Sequence, residues 1–215
     1  MSRRLPVYLL IDTSGSMRGE PIQAVNNGIL TMVSALKQDP HALETVHLSF
    51  ITFDREVNEV MALSPLDTLT PPTLETPESG PTHLGEALEK LIASVGRDVR
   101  KTAEGEKGDW APLLFVMTDG KPSDLAVFED AVPKVKSAGF ANIIGCAAGP
   151  KARSEDLQKF CHSTALLDTL DSAGFSQFFK WVSEAIAGGS RSQGAPAGEQ
   201  GGALPPPPEE IKVVI

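Results

Sequence analysis

Asp12, Ser14 and Ser16 fall in the five-residue stretch 12–16, with Gly15 between the two serines and Thr13 adding a further hydroxyl. A carboxylate and several hydroxyls make a ligand set for a hard divalent cation, which takes oxygen donors. Gly15 is expected to allow the tight backbone path that turns those oxygens toward one point. Taken alone, the stretch also fits Asx and Ser turns ahead of a helix. A second carboxylate stands farther on, at Asp119 in V-M-T-D-G-K-P-S-D.

Both carboxylates follow the same kind of element. Val7–Ile11 is an apolar run without alternation, as expected of a central parallel strand covered on both faces. It ends in Asp12, at the carboxyl end of the strand, where open α/β sheets place their ligand crevices. Leu113–Met117 repeats the pattern and runs into Thr118-Asp119-Gly120. Between them, Pro21 is a favoured first helical residue. Ile22, Val25, Ile29, Met32, Val33 and Leu36 then predict a helix ending near Asp39-Pro40. Thr45–Phe53 predicts a strand, and Val57–Leu63 a second one returning beside it as an antiparallel edge hairpin. Residues 64–81 contain Pro65, Pro71, Pro72, Pro77 and Pro81 and predict a long loop, a kind that is usually functional or disordered. Leu84, Leu88, Leu91, Ile92 and Val95 mark the next helix, and residues 101–109 a charged surface loop. After the second apolar strand come a helix over 123–138 stopped by Gly139, a strand over 142–147, a short helix over 154–161, a short strand over 165–168 and a last helix over 174–187. Alternating strands and helices imply right-handed crossovers and a mostly parallel sheet. The expected architecture is α/β and doubly wound: a six-stranded sheet of order 3-2-1-4-5-6, one edge strand antiparallel, flanked by helices. In that order Asp12 and Asp119 face one crevice.

A length of 215 residues suits one domain with a tail. The formal charge of -9 argues against non-specific nucleic-acid binding, which needs a basic patch. No stretch approaches the ~18 uninterrupted apolar residues of a membrane helix. The start, M-S-R-R-L-P-V-Y, is basic, but its apolar run stops at Asp12, unlike a signal peptide. Cys146 and Cys161 fit no metal spacing and suit reduced thiols in a cytoplasmic protein. Composition changes at Gly188-Gly189. Residues 1–187 are thus expected to fold, residues 188–208 to form a flexible linker ending in the extended Pro205–Pro208, and residues 209–215 to form a strand-like tail. I-K-V-V-I is expected to dock as an added strand on this chain, a second copy or a partner.

Asp12-Thr13-Ser14-Gly15-Ser16 resembles the D-x-S-x-S motif of von Willebrand factor A (VWA) domains, where it begins a metal-ion-dependent adhesion site, or MIDAS. The resemblance covers about residues 5–187. It implies two later ligands, matched here by Thr82, in G-P-T-H-L-G-E-A-L, and by Asp119. The implied ligand set is Asp12, Ser14, Ser16, Thr82 and Asp119, holding Mg²⁺ (or Mn²⁺ or Ca²⁺). In that family a partner's carboxylate completes the coordination, so an Asp or Glu from a protein partner is expected here; His83, which adjoins Thr82, and Gly15 are expected partner contacts. More narrowly, R-R-L-P-V-Y-L-L-I-D-T-S-G-S-M-R-G-E-P-I and T-D-G-K-P-S-D resemble the small bacterial VWA proteins of the TerY type, linked to tellurium resistance. That likeness implies a stress-response adaptor with kinase- and phosphatase-like partners.

Other chemistries fit less well. L-I-D-T-S-G is similar to an aspartic-protease strand, but Ser14 holds the required glycine place and the two-carboxylate chemistry needs a second copy. An aspartyl-phosphate phosphatase wants a second Asp where Ser14 stands. Gly15 and Gly19 are not followed by the Gly-Lys-Ser/Thr of a phosphate loop. His41, His47, His83 and His162 are scattered, leaving no clear general base, so the expectation is a binding protein and not an enzyme. The alternatives are a VWA subunit of an ATPase chaperone for metal insertion and a metal-assisted hydrolase.

Overall fold

All eight residues of β1 (Leu5–Asp12) are buried, and in a computed structural model of the protein they run through the middle of its sheet. The structure describes residues 3–78, 80–149, 152–192, 205–208 and 211–214. Most of the expected linker (193–204) and Glu209, Glu210 and Ile215 of the expected tail lie outside the described residues. The unbroken apolar run of β1 resolves into two alternating sets. Leu5, Val7, Leu9 and Ile11 pack into the core beneath α1 (Glu20–Lys37) and α6 (Ser172–Ser192). Tyr8 and Leu10 pack into the core beneath α3 (Leu84–Asp98) and α4 (Leu125–Ser137). A strand with a helical layer on each side has no polar face to mark its period.

The remaining strands are β2 (Val46–Phe53), β3 (Val57–Pro65), β4 (Leu113–Thr118), β5 (Asn142–Ala148), β6 (Ser163–Leu167) and β7 (Lys212–Val214). Their order is β3-β2-β1-β4-β5-β6-β7. The expected order of six is therefore present, and the sheet has a seventh strand. The central five are parallel, and β3 and β7 are antiparallel at the two edges. The β1–β4 pairing ends at Ile11 opposite Met117, so Asp12 and Thr118 leave the sheet side by side.

The added strand comes from the tail, which takes the edge of its own sheet. Thr164 pairs with Val214, Ala165 with Val213 and Leu166 with Lys212. Ile211 is only 4% exposed and joins the α1/α6 core. Trp181, buried on α6, donates its indole N–H to the Pro205 carbonyl at 2.8 Å. The expected short helix over 154–161 is α5 (Ser154–Gln158), ending three residues early, and two further helical regions differ from expectation. Pro40–Thr45 forms a short helix, α2, whose first turn is capped by the Asp39 side chain accepting from the His41 and Ala42 N–H groups. α6 continues through Gly188-Gly189 to Ser192, its last turn held to α2 by Thr45 with Ser190 (3.0 Å) and by an Arg191–Asp39 ion pair.

The long loop after β3 is pinned. Leu66, Leu69 and Leu74 are buried, and Asn26 on α1 both accepts from the Leu74 N–H (2.8 Å) and donates to its carbonyl (2.9 Å). At the amino end of β1, Arg4 grips Asp109 through two bonds of 2.8 and 2.5 Å, while Arg3 lies 3.8 Å over the Trp110 ring. The basic start of the chain is thus a clasp on the loop over 101–109. Burial alone would raise the Asp109 carboxyl, but the Arg4 guanidinium and the Arg100 amide outweigh it and hold it below the usual carboxylate range. Cys146 and Cys161 are both free thiols, and burial pushes both up.

Two outcomes are expected. Ile211→Asp should speed amide exchange at 212–214, whereas the wild-type protection should not change with protein concentration because the strand docks on its own chain. Removing one partner of the clasp, by Asp109→Ala, should cost about 3 kcal/mol in denaturant unfolding. A depressed carboxyl stabilises above its unfolded pKa of about 3.9 and loses that contribution as pH falls through its folded value. Asp109→Asn should therefore flatten the acid limb of the stability curve below about pH 4.

Candidate metal centre

The site is assembled where β1 and β4 end. Asp12 is fully buried. Its Oδ1 accepts from the Ser14 N–H at 2.8 Å, and its Oδ2 accepts from the Thr118 hydroxyl at 2.6 Å. Both carboxylate oxygens are thereby oriented by the ends of two paired strands. Gly15–Met17 then form one 3-10 turn, closed by the Met17 N–H donating to the Ser14 carbonyl at 2.9 Å and anchored by the buried Met17 side chain. That turn brings the Ser14 and Ser16 hydroxyl oxygens to 3.3 Å, and Ser16 donates to Asp119 Oδ1 at 2.9 Å. Thr82 arrives from the long loop and is 7% exposed. A Cβ placed on Gly120 would sit 3.4 Å from the Thr82 hydroxyl oxygen, so Thr82 abuts the Asp119–Gly120 turn. The five expected ligands thus come from three separate loops to one end of the sheet.

The two residues expected to meet a partner are placed less simply. Gly15 is half-buried with ordinary backbone; the left-handed position in this loop is Gly19, at φ 88° just before α1. The tight turn is made by 3-10 geometry, open to any L-residue, and the change of direction into the helix is what needs a glycine. His83 is next to Thr82 at the start of α3, but its Nδ1 lies 3.6 Å from the Glu86 carboxylate, while its backbone N–H donates to the Asp54 carbonyl at 3.0 Å.

Two supporting residues escaped the sequence pattern. Thr118 orients Asp12, and its hydroxyl in turn accepts from the Gly120 N–H at 3.2 Å. Asp54, in the β2–β3 turn, accepts from the Thr13 hydroxyl at 2.8 Å and so ties the first loop to the hairpin. A signal for Thr118 was available: paired parallel strands that end together put the residue before Asp119 opposite Asp12.

The donor chemistry fits a hard cation. Burial pushes the Asp12 carboxyl up to about 6; hydrogen bonds from Thr118 and Ser14 pull it back, and the charge of Asp119 adds to the rise. Among the described residues no Lys or Arg forms an ion pair with Asp12, and no group of three or more His, Cys, Asp or Glu gathers that could hold a metal. The donors are two carboxylates and three hydroxyls, all oxygen, the set a Mg²⁺-sized ion accepts. The hydroxyls of Ser14, Ser16 and Thr82 would hold it, with Asp12 and Asp119 acting directly or through water.

Fold and site together define a doubly wound α/β domain with an oxygen-donor site at the switch point of its sheet. The chain belongs to the von Willebrand factor type A domain family, whose model matches residues 7–178. Among curated protein sequences none matches it. Among solved structures it is similar to proximal thread matrix protein 1 from the mussel byssus, with a TM-score of 0.63 at 18% identity over 86% of this chain and 48% of that one. A further structure of that mussel protein carries a zinc-occupied MIDAS motif (TM-score 0.59, 15% identity, 86% and 48% covered). It is also similar to a von Willebrand factor type A protein from Catenulispora acidiphila (TM-score 0.63, 15% identity, 87% and 43% covered). The pilus adhesin SpaC of Lactobacillus rhamnosus GG gives a TM-score of 0.66 at 12% identity, covering 87% of this chain and 31% of that one. These likenesses concern the fold, and the chain spans less than half the length of each of these structures.

Mg²⁺ or Mn²⁺ at 100 times its Kd should stabilise the protein by about 2.7 kcal/mol, a rise of several degrees in melting temperature. Asp12→Ala should abolish the rise. An equal rise in that variant would place the ion elsewhere.

Proposed function

We propose that this chain is a divalent-metal-dependent protein-binding domain that acts by adhesion and not by turnover. The observation that carries this is the convergence of Asp12, Ser14, Ser16, Thr82 and Asp119, with two buried carboxylates and no basic residue bridging Asp12 among the described residues. When bound, the ion supplies an electrophilic point of attachment for an oxygen ligand. Three of the five donors are uncharged, so an Asp or Glu carboxylate from a partner is a suitable further ligand. Mg²⁺ is the ion we assign, with Mn²⁺ or Ca²⁺ able to replace it.

The side chains around the site support binding over hydrolysis. A hydrolase needs a general base within hydrogen-bond reach of an attacking water. His83, the histidine nearest in sequence, is turned toward Glu86. The finer part of the proposal is a cytoplasmic adaptor in a bacterial stress response with kinase- and phosphatase-like partners. It rests on the two motif-bearing segments alone, with the two free thiols in keeping with a reducing compartment.

The test is a pull-down with and without EDTA, in parallel with Thr82→Ala. A specific partner should be retained by the wild type with Mg²⁺ and lost equally on chelation and in the variant. A partner retained in all three arms would overturn the metal-dependent reading. A panel of phosphate-ester, peptide and nucleotide substrates should show no metal-dependent hydrolysis; activity present in the wild type and lost in Asp119→Ala would make the protein an enzyme.

A further inference from the structure

Four of the five ligands sit at or just beyond the ends of two strands whose hydrogen-bond ladder aligns them. Thr82 does not: it comes at the end of a proline-rich loop, immediately before α3. Something other than the sheet has to place it. α3 also begins without a cap of its own, since His83 at its N-cap makes no side-chain hydrogen bond to the helix. Helix ends leave such N–H groups unsatisfied. Here they are taken by Asp124, 39 and 38 positions away: Oδ1 accepts from the Gly85 N–H at 3.1 Å, and Oδ2 from the Glu86 N–H at 2.8 Å. The Asp124 carbonyl meanwhile accepts from the Phe128 N–H at 2.9 Å within α4. One residue therefore caps one helix with its side chain and begins another with its backbone.

Its neighbour Ser123 makes a reciprocal pair with Thr82. The Ser123 N–H donates to the Thr82 carbonyl at 2.8 Å, and the Thr82 N–H donates to the Ser123 hydroxyl at 3.1 Å. The helices are in close contact at this point. A Cβ on Gly85 would lie 2.3 Å from the Phe128 nitrogen and 2.8 Å from Asp124 Oδ2, so only glycine leaves room for the cap. All four hydrogen bonds join the segment that carries Thr82 to the segment that follows Asp119.

We propose that Ser123 and Asp124 are positioning residues for the metal site: they fix the Thr82 hydroxyl against the Asp119 loop, so that the fifth oxygen donor is in place before an ion arrives. This rests on the metal reading above. Pre-ordering a ligand removes an entropy loss that binding would otherwise carry, and the groups that orient metal ligands commonly matter 10- to 100-fold in affinity. Linkage makes the effect reciprocal: an ion that joins Thr82 to Asp119 also tightens the bonds that Asp124 makes.

The test uses the full chain and Mg²⁺ alone. By calorimetric titration, Asp124→Ala should bind Mg²⁺ about 10- to 100-fold more weakly, and Ser123→Ala should lose less. Asp124→Asn, whose amide oxygen still accepts, should recover part of the loss. Asp39→Ala serves as the structural control, because Asp39 caps α2 at the opposite end of the sheet; it should lower the melting temperature and leave the Mg²⁺ affinity unchanged. In metal-free protein, amide exchange at Gly85 and Glu86 should quicken in Asp124→Ala, and Mg²⁺ should slow it in the wild type. Unchanged Mg²⁺ affinity in Asp124→Ala and Ser123→Ala, beside a wild type that binds, would overturn this inference alone. A wild type that binds no Mg²⁺ would overturn the metal reading, and this inference with it.

Discussion

Parallel pairing of β1 with β4 is the constraint on which the site depends. The ladder ends at Ile11 and Met117, and the next residue on each side is polar. Asp12 and Thr118 are then forced together at the carboxyl ends of two central strands, where both are buried. Their 2.6 Å bond is a consequence of that register. A one-residue slip would turn every side chain of β1 to the other face and exchange the two cores. The carboxylate that leads the ligand set is thus held by the same apolar alternation that holds the domain together.

Burial at these strand ends raises an electrostatic demand. Asp12 is out of water and near the charge of Asp119, so its ionised form is disfavoured despite two hydrogen bonds. The Ser14 N–H on Asp12, the contact of the Ser14 and Ser16 hydroxyls and the Ser16 bond to Asp119 link the two acidic residues without neutralising them. Asp109, whose side chain is only 3% exposed, is by contrast matched by the Arg4 cation. The two aspartates thus differ physically: Asp109 is paired with a cation, and Asp12, the candidate ligand, is held by hydrogen bonds alone.

Much of this was legible in the sequence, for identifiable reasons. The two uninterrupted apolar runs, each ending in an acidic residue, placed both aspartates, and alternation of strand and helix gave the winding. The strand order from β3 to β6 followed. The rest is set by features too short or too far apart in sequence to form a pattern. α2 is too short to show a helical period, and its signal was Asp39-Pro40, a cap and a first-turn proline. Gly188-Gly189 suggested a stop, yet packing of Ser190 and Arg191 on α2 carries α6 past it. Thr118 and Asp124 act through partners 106 and about forty positions away, which no local pattern reveals. Gly15 stands in the motif, whereas the backbone position that requires glycine is Gly19.

The antiparallel β7 has a geometric consequence. β1 starts at the end of the sheet opposite the candidate metal site, with Arg3 and Arg4 clasped there. Because β7 runs against β6, with Val214 opposite Thr164 near the start of that strand, the described chain finishes at the same opposite end. Anything tethered at either end of this segment, whether a neighbouring domain, a surface or a label, hangs from one pole. The five oxygen donors gather at the other, where of the five only Ser16 is exposed, on the side away from the attachment.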